Sequence, residues 1–593
     1  MRVRLPMMIQ DPAISTKDVG RVVEGWTKLD QKHFLDGPIT PRVAVIDLDP
    51  DTETMGEPVV FQPPVGNQVF GRYVVDRDDV ESDPFIAVST FATVWRTISL
   101  YEQKETLGRE IAWGFEAPQL LVVPRAGWLE NAYYERSSHS LQFFSFESDG
   151  KTIHTSLSRD IVSHETAHSL IDGIDPDLYD ALDPQSLALH EGIADLTAML
   201  LAFDSRPLTE AILNKTNGRI DESNAFSSIG EQFGKAVDPS RQAGYLRNLR
   251  NKKKIDPTNE EIEPHALSEV ISGVLYELMV EMHDHFTDTY APQFGGSRKS
   301  ASGKALAVAA MIFRRMVLRG LDYLPPGEVT FADFGRAIIA ADQASPGESR
   351  WRESLRSKFV ERRIVPNEQA MDVATNVEHE AVRNASLQGL ASSEWVAYKF
   401  ADHNRILLGI PDDAEFEVLK RVLVDGRVKS PDEHAAAADS SPEPAEAPVD
   451  RAPAAAVAAA PGPDGDDHPG DGGENAGIPF RELLFKVRWS VVEDNPVGMD
   501  SPQRRVQTGT TLVIDWNNKR IRSLLRPRNF AERRSARDAM LNDLVGRGIV
   551  EITDPTGRAS GHSATGIDAV DTDGILRVKQ TARLLHIVRG VDE

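Results

Sequence analysis

Residues 164–168 read His-Glu-Thr-Ala-His, and 23 positions after His168 stands Glu191, within His190-Glu191-Gly192-Ile193-Ala194-Asp195. The first stretch lies in SRDIVSHETAHSL (158–170), which predicts a helix: Ile161, Val162, Ala167 and Leu170 supply its apolar positions and Gly173 its end. Helical residues four apart share a face, so His164 and His168 can direct ring nitrogens at one metal ion. Glu165 is turned about 100° away around the axis. It is badly placed to bind that ion but well placed to reach a water beside it, which is the work of a general base.

A second helix is predicted over PQSLALHEGIADLTAMLLAF, with Asp183 as N-cap and Pro184 in the first position. Glu191 and Asp195 are again four apart. Glu191 can complete a His-His-Glu set for Zn²⁺, with a fourth position open. Asp195 can accept a hydrogen bond from the far nitrogen of a ligand histidine and fix its tautomer. His190 is the rival third ligand, but it faces about 100° from Glu191 and has no carboxylate one turn on. A solvated surface helix is the bland alternative, and the capped Glu-x-x-x-Asp helix argues against it. The metzincin pattern needs Gly and His where this chain has Ile171 and Ile174, so it is excluded.

The HETAH and Glu191-Gly-Ile-Ala-Asp195 segments resemble the gluzincin zinc metallopeptidases, in particular the thermolysin-like family, as a distant member. The likeness spans roughly residues 85–365. Asn131-Ala132-Tyr133-Tyr134 is similar to that family's substrate-binding edge strand. Tyr179, 11 after His168, matches the spacing of its oxyanion-assisting tyrosine. Arg247, in YLRNL (245–249), is similar to an arginine that contacts a substrate carbonyl. His265, opening HALSEVISGVLYEL, resembles the transition-state histidine. The resemblance therefore implies Glu165, His265 and Tyr179 as catalytic residues; His164, His168 and Glu191 as zinc ligands; and Asn131, Ala132 and Arg247 as substrate contacts. Glu260, Glu261 and Glu263 are candidates for the acid that orients His265, and spacing favours Glu260. The chain departs from the family in a longer His-to-Glu spacing, in His190 before the third ligand, and in a later Ser272-Gly273.

The expected fold is α+β: a thermolysin-like two-lobed metallopeptidase, with a β-rich N-terminal lobe (1–157, including an early helix near 84–107) and a helical zinc lobe (158–365). An α/β extension follows (366–428), in which EWVAYKFADHNRILLGIP (394–411) is a candidate strand. Residues 429–477 are Ala, Pro, Gly and acids with almost no large apolar side chains, which predicts a disordered linker. Residues 478–593 read as a small, mildly basic α+β domain carrying no catalytic motif; targeting, substrate recruitment and autoinhibition are its open roles. Asp172, Asp175, Asp177, Asp180 and Asp183 are candidate Ca²⁺ ligands, with a solvated acidic loop the plainer reading.

The net charge of −25 across 593 residues argues against nucleic-acid and anionic-membrane partners. The absence of cysteine excludes disulfides and thiolate metal sites. No transmembrane helix or Sec signal is read, so a cytoplasmic location is expected, although signal-free export would leave no mark. The expected activity is zinc-dependent endopeptidase cleavage of peptide or protein substrates by a monomer. No Gly-x-Met-Glu-Asn aminopeptidase motif precedes HETAH. The alternative is a latent, zinc-stabilised peptide-binding scaffold, against which an intact Glu165 argues.

Overall fold

A computed structural model describes residues 2–584 apart from 16–20, 29–33, 53, 238–243, 257, 259–260, 345–349, 429–477, 497–501, 548–551, 554–566, 573–574 and 581. The chain is mixed α+β, with about 45% helix and 22% strand. The expected linker (429–477) lies outside the described residues.

The N-terminal part begins with a four-stranded sheet built from β1 (Arg2–Met8), β2 (Val22–Lys28), β4 (Phe61–Gln62) and β5 (Phe70–Tyr73), in the order β2-β1-β5-β4. Helix α1 (Asp83–Glu102) covers it and packs on α2 (Arg159–Ile174), the helix that carries His164 and His168. A second sheet takes one strand from before α1 and three from the segment between α1 and α2. It contains β3 (Val43–Val45), β6 (Leu120–Val123), β7 (Ala132–Glu135) and β8 (Ser140–Phe143), ordered β7-β8-β6-β3. Leu120, Val122, Ala132, Tyr134, Leu141 and Phe143 bury the alternating face that period-two patterning dictates.

Every residue of α2 is buried. Gly173 does not end this helix, which continues to Ile174. A Cβ there would lie 2.0 Å from the Ala112 carbonyl oxygen, so the glycine permits a backbone approach. Helix α3 (Pro184–Phe203) starts where the sequence predicts, with the Asp183 carboxylate accepting from the Gln185 N–H at 2.8 Å. Among the described residues α3 is long and apolar enough to cross a membrane, but 94% of that stretch is buried inside the protein. It is the central core helix, flanked by α2, α4 (Pro264–Tyr290), α5 (Arg298–Tyr323) and α6 (Phe331–Gln343).

The C-terminal half departs from the expected division. Residues 394–403 form a helix, α7 (Glu394–His403), and not a strand: Ser393 caps it, and Ala397 and Ala401, one turn apart, are its buried positions. The strand β9 (Phe416–Val428) pairs antiparallel along its length with β10 (Ile478–Asp494), across the linker. β10 continues into β11 (Gln503–Asp515), which pairs with β12 (Arg520–Leu525) and, in parallel, with β13 (Ile575–Gln580). The extension and the C-terminal segment are thus one sheet body. Val424, Phe480, Leu484, Val513 and Leu525 from it join the main core. Helix α8 (Arg534–Gly546) and β13 bring Met540, Leu541, Leu544, Leu576 and Val578 against Ala181, Leu182 and Leu187, beside the loop joining α2 to α3. Burying each of the larger side chains stabilises this docking by roughly 1.5–3 kcal/mol.

Candidate metal centre

Helices α2 and α3 bring three potential donor atoms to one point. Nε2 of His164 and Nε2 of His168 are 3.0 Å apart, and Oε2 of Glu191 lies 3.3 Å from the first and 3.6 Å from the second. A tetrahedral zinc ion with bonds of roughly 2.0–2.1 Å separates its ligand atoms by about 3.3–3.4 Å. The triangle fits such an ion. It is also the only group of this kind among the described residues, and it is buried throughout.

Both histidines of the triangle have a partner behind them. Asp195 Oδ1 lies 2.9 Å from His164 Nδ1, which turns the lone pair of Nε2 toward the shared point. Burial opposes the charge on the His164 ring, but Asp195 and Glu191 outweigh it and push the pKa up to about 9. Burial also opposes ionisation of Glu191, yet His168 and His265 hold its carboxyl well below the usual range. His168 Nδ1 lies 2.7 Å from Nδ1 of His190. His190 therefore stands behind His168 and outside the triangle that could hold a metal, a position the sequence reading did not assign. Its position one before Glu191 was the available signal.

Glu165 occupies the flank its helical phase predicts. Its Oε2 accepts from the Tyr134 N–H of β7 at 3.0 Å, while no group among the described residues donates to Oε1. Burial, assisted by the nearby Glu191 charge, pushes its pKa up to about 8. A carboxyl with raised proton affinity beside a metal-binding triangle is suited to taking up and returning a proton.

His265 enters from the N-terminus of α4, with Nε2 3.4 Å from Glu191 Oε2. Its Nδ1 lies 2.8 Å from Oε1 of Glu263, which also caps α4 by accepting the His265 and Ala266 N–H groups. Glu263 thus orients His265; Glu260, favoured by spacing, lies outside the described residues. Close approach of α4 depends on Gly192, where a Cβ would sit 2.6 Å from Ile271 Cγ2.

Arg247, Asn131, Ala132 and Tyr179, the other residues that the resemblance implies, are buried. Arg247 is buried and forks onto Asp195, with Nε and Nη2 each at 2.7 Å, so it supports the ligand shell. Asn131 turns its Oδ1 back onto the Ala132 N–H at 2.8 Å, and both residues are buried where β7 begins. Tyr179 is fully buried. Its hydroxyl donates to the Tyr134 carbonyl at 3.3 Å, and the Arg136 guanidinium lies 4.3 Å from its ring centre. It braces the strand beside Glu165.

The five aspartates considered for Ca²⁺ all have protein partners. Asp172 accepts from the Tyr134 hydroxyl and Arg136, Asp180 from Arg136, Asp177 from Arg488 and the Gly327 N–H, and Asp183 from Arg533. Asp175 faces Lys486. The C-terminal body supplies three of these cations, which the loop's composition alone did not foretell.

No protein-family model matches the chain, and its sequence matches no curated protein.

Proposed function

We propose that this protein is a zinc-dependent metalloendopeptidase, a gluzincin distantly similar to the thermolysin-like family, acting on peptide or protein substrates. The observation that carries the reading is the convergence of His164, His168 and Glu191 on one point, flanked by Glu165 and faced by His265. Bound zinc would supply a Lewis acid that activates water and polarises a carbonyl.

The chain's own groups have distinct tasks. Glu165 takes the proton of the attacking water and returns it to the departing amine. Tyr134 fixes one of its oxygens and leaves the other for that exchange. His265, held by Glu263, donates from Nε2 to the oxyanion that forms at the cleaved carbonyl. Asp195, Arg247 and His190 hold the ligand imidazoles in place. The exclusion of water by the buried surround strengthens each of these interactions.

The test is metal content together with cleavage of a quenched-peptide library. About one zinc per chain and chelator-sensitive cleavage at internal bonds are expected. A zinc-replete sample of a chain ending at Gln580 that cleaves nothing would overturn the reading.

A further inference from the structure

An extended peptide substrate would add to β7, the strand that holds Glu165, yet the outer side of β7 already carries a strand. Residues Ala582–Leu584 (β14) pair with it antiparallel: Ala582 opposite Glu135, Arg583 opposite Tyr134, and Leu584 opposite Tyr133. β14 forms the end of the sheet, in the order β14-β7-β8-β6-β3. Arg583 thus stands opposite the residue whose N–H holds the general-base carboxylate. This is the backbone-pairing mode by which peptides augment a sheet edge.

The strand is delivered by a docked body. β13 ends at Gln580, with a single residue between it and the start of β14, and its Leu576 and Val578 pack against Ala181, Leu182 and Leu187. Arg533 grips Asp183, the N-cap of α3, through two hydrogen bonds of 2.7 Å. A segment tethered this closely has an effective concentration on the order of millimolar. At that concentration, even a dissociation constant of about 0.1 mM keeps the segment seated roughly nine-tenths of the time.

We propose that β14 is an intramolecular occupant of the substrate edge. The chain is then a latent peptidase whose own C-terminal segment competes with substrate for β7, and displacement or removal of that segment activates it. The effect on turnover rests on the peptidase reading; the occupation of β7 does not.

Three proteins test this: the full chain, a chain ending at Gln580, and the full chain carrying Arg583→Pro with Leu584→Pro. Alternate N–H groups of a strand point to opposite sides, so the double substitution removes whichever one faces β7. The readouts are zinc content, kcat/KM on quenched peptides, and affinity for a fluorescent peptide hydroxamate. Zinc content should not change. Both variants should bind the hydroxamate more tightly and cleave faster, the shortened chain by about tenfold. A synthetic 581–593 peptide should inhibit the shortened chain competitively.

Equal hydroxamate affinity and equal kcat/KM in all three proteins would overturn the proposal and leave the peptidase reading standing. Tighter hydroxamate binding on shortening, with no cleavage by any of the three, would overturn the peptidase reading and leave the self-occupation standing. If the shortened chain fails to fold, the double-proline protein decides.

Discussion

Arg247 meets Asp195 through two parallel hydrogen bonds of 2.7 Å, and both side chains are buried. Asp195 in turn lies 2.9 Å from His164, so in the proposed centre an arginine distant in sequence from the HETAH helix acts on a candidate metal ligand through one carboxylate. Removing it as Arg247→Ala leaves a buried, uncompensated charge, which costs about 3–5 kcal/mol. Zinc affinity should fall roughly 10–100-fold. Arg247→Lys keeps the charge without the fork and should recover only part of either loss. Denaturant unfolding and zinc competition measure both. A variant with native zinc affinity and only a raised KM would restore the substrate-contact role that the family resemblance implied.

In the proposed centre His190 backs His168 from outside the ligand triangle. His190→Phe should retain about one zinc per chain at saturating metal while weakening affinity roughly 10–100-fold. Titration against a chelator of known affinity reads this. Complete loss of the site at saturating zinc would instead make His190 a ligand.

Gly192→Ala tests the contact that brings His265 to the metal centre. The new Cβ would meet Ile271 at 2.6 Å, so α3 and α4 must separate. Overpacking of this kind costs about 1–3 kcal/mol. Turnover should fall more than stability alone explains, because His265 moves with α4, whereas zinc affinity should hardly change. Unaltered kcat in this variant would show that His265 does not need its observed position.

The metal-free centre should make stability depend on pH. The His164 pKa is raised to about 9 and the Glu165 pKa to about 8. Each group's folded value lies above its unfolded one. Its stabilising contribution is therefore complete below the unfolded value and is lost as pH rises through the folded value. The chelated protein should lose Tm between about pH 5 and 9. Added zinc, which binds the deprotonated ligands, should reverse most of that loss toward the alkaline end. Melting curves across this range, with and without zinc, check it; a flat or rising Tm for the chelated protein would contradict the assigned ionisation states.

Much of the site is local in sequence, and that part was legible. The i, i+4 spacing, the Asp183 cap and Pro184 place α2 and α3 and their polar faces without tertiary information. The rest depends on contacts between distant segments, which no local pattern announces. Glu263 both caps α4 and meets His265. Arg247 is drawn inward by Asp195, 52 positions away. The acidic loop looks like a cation site until Arg488, Lys486 and Arg533 arrive from beyond the linker. α7 read as strand because its aromatic and β-branched residues mask a face marked only by Ala397 and Ala401. No local pattern announces that β9 pairs with β10 across 429–477, or that β14 reaches β7.

The most direct test of the central claim is Glu165→Gln. The substitution preserves the shape of the side chain and removes its ability to accept the water's proton. With the C-terminal strand removed so that the edge is open, the account predicts one zinc per chain, unchanged hydroxamate affinity, and kcat reduced by about 10²–10⁴-fold. Full turnover by a zinc-loaded Glu165→Gln protein would contradict it.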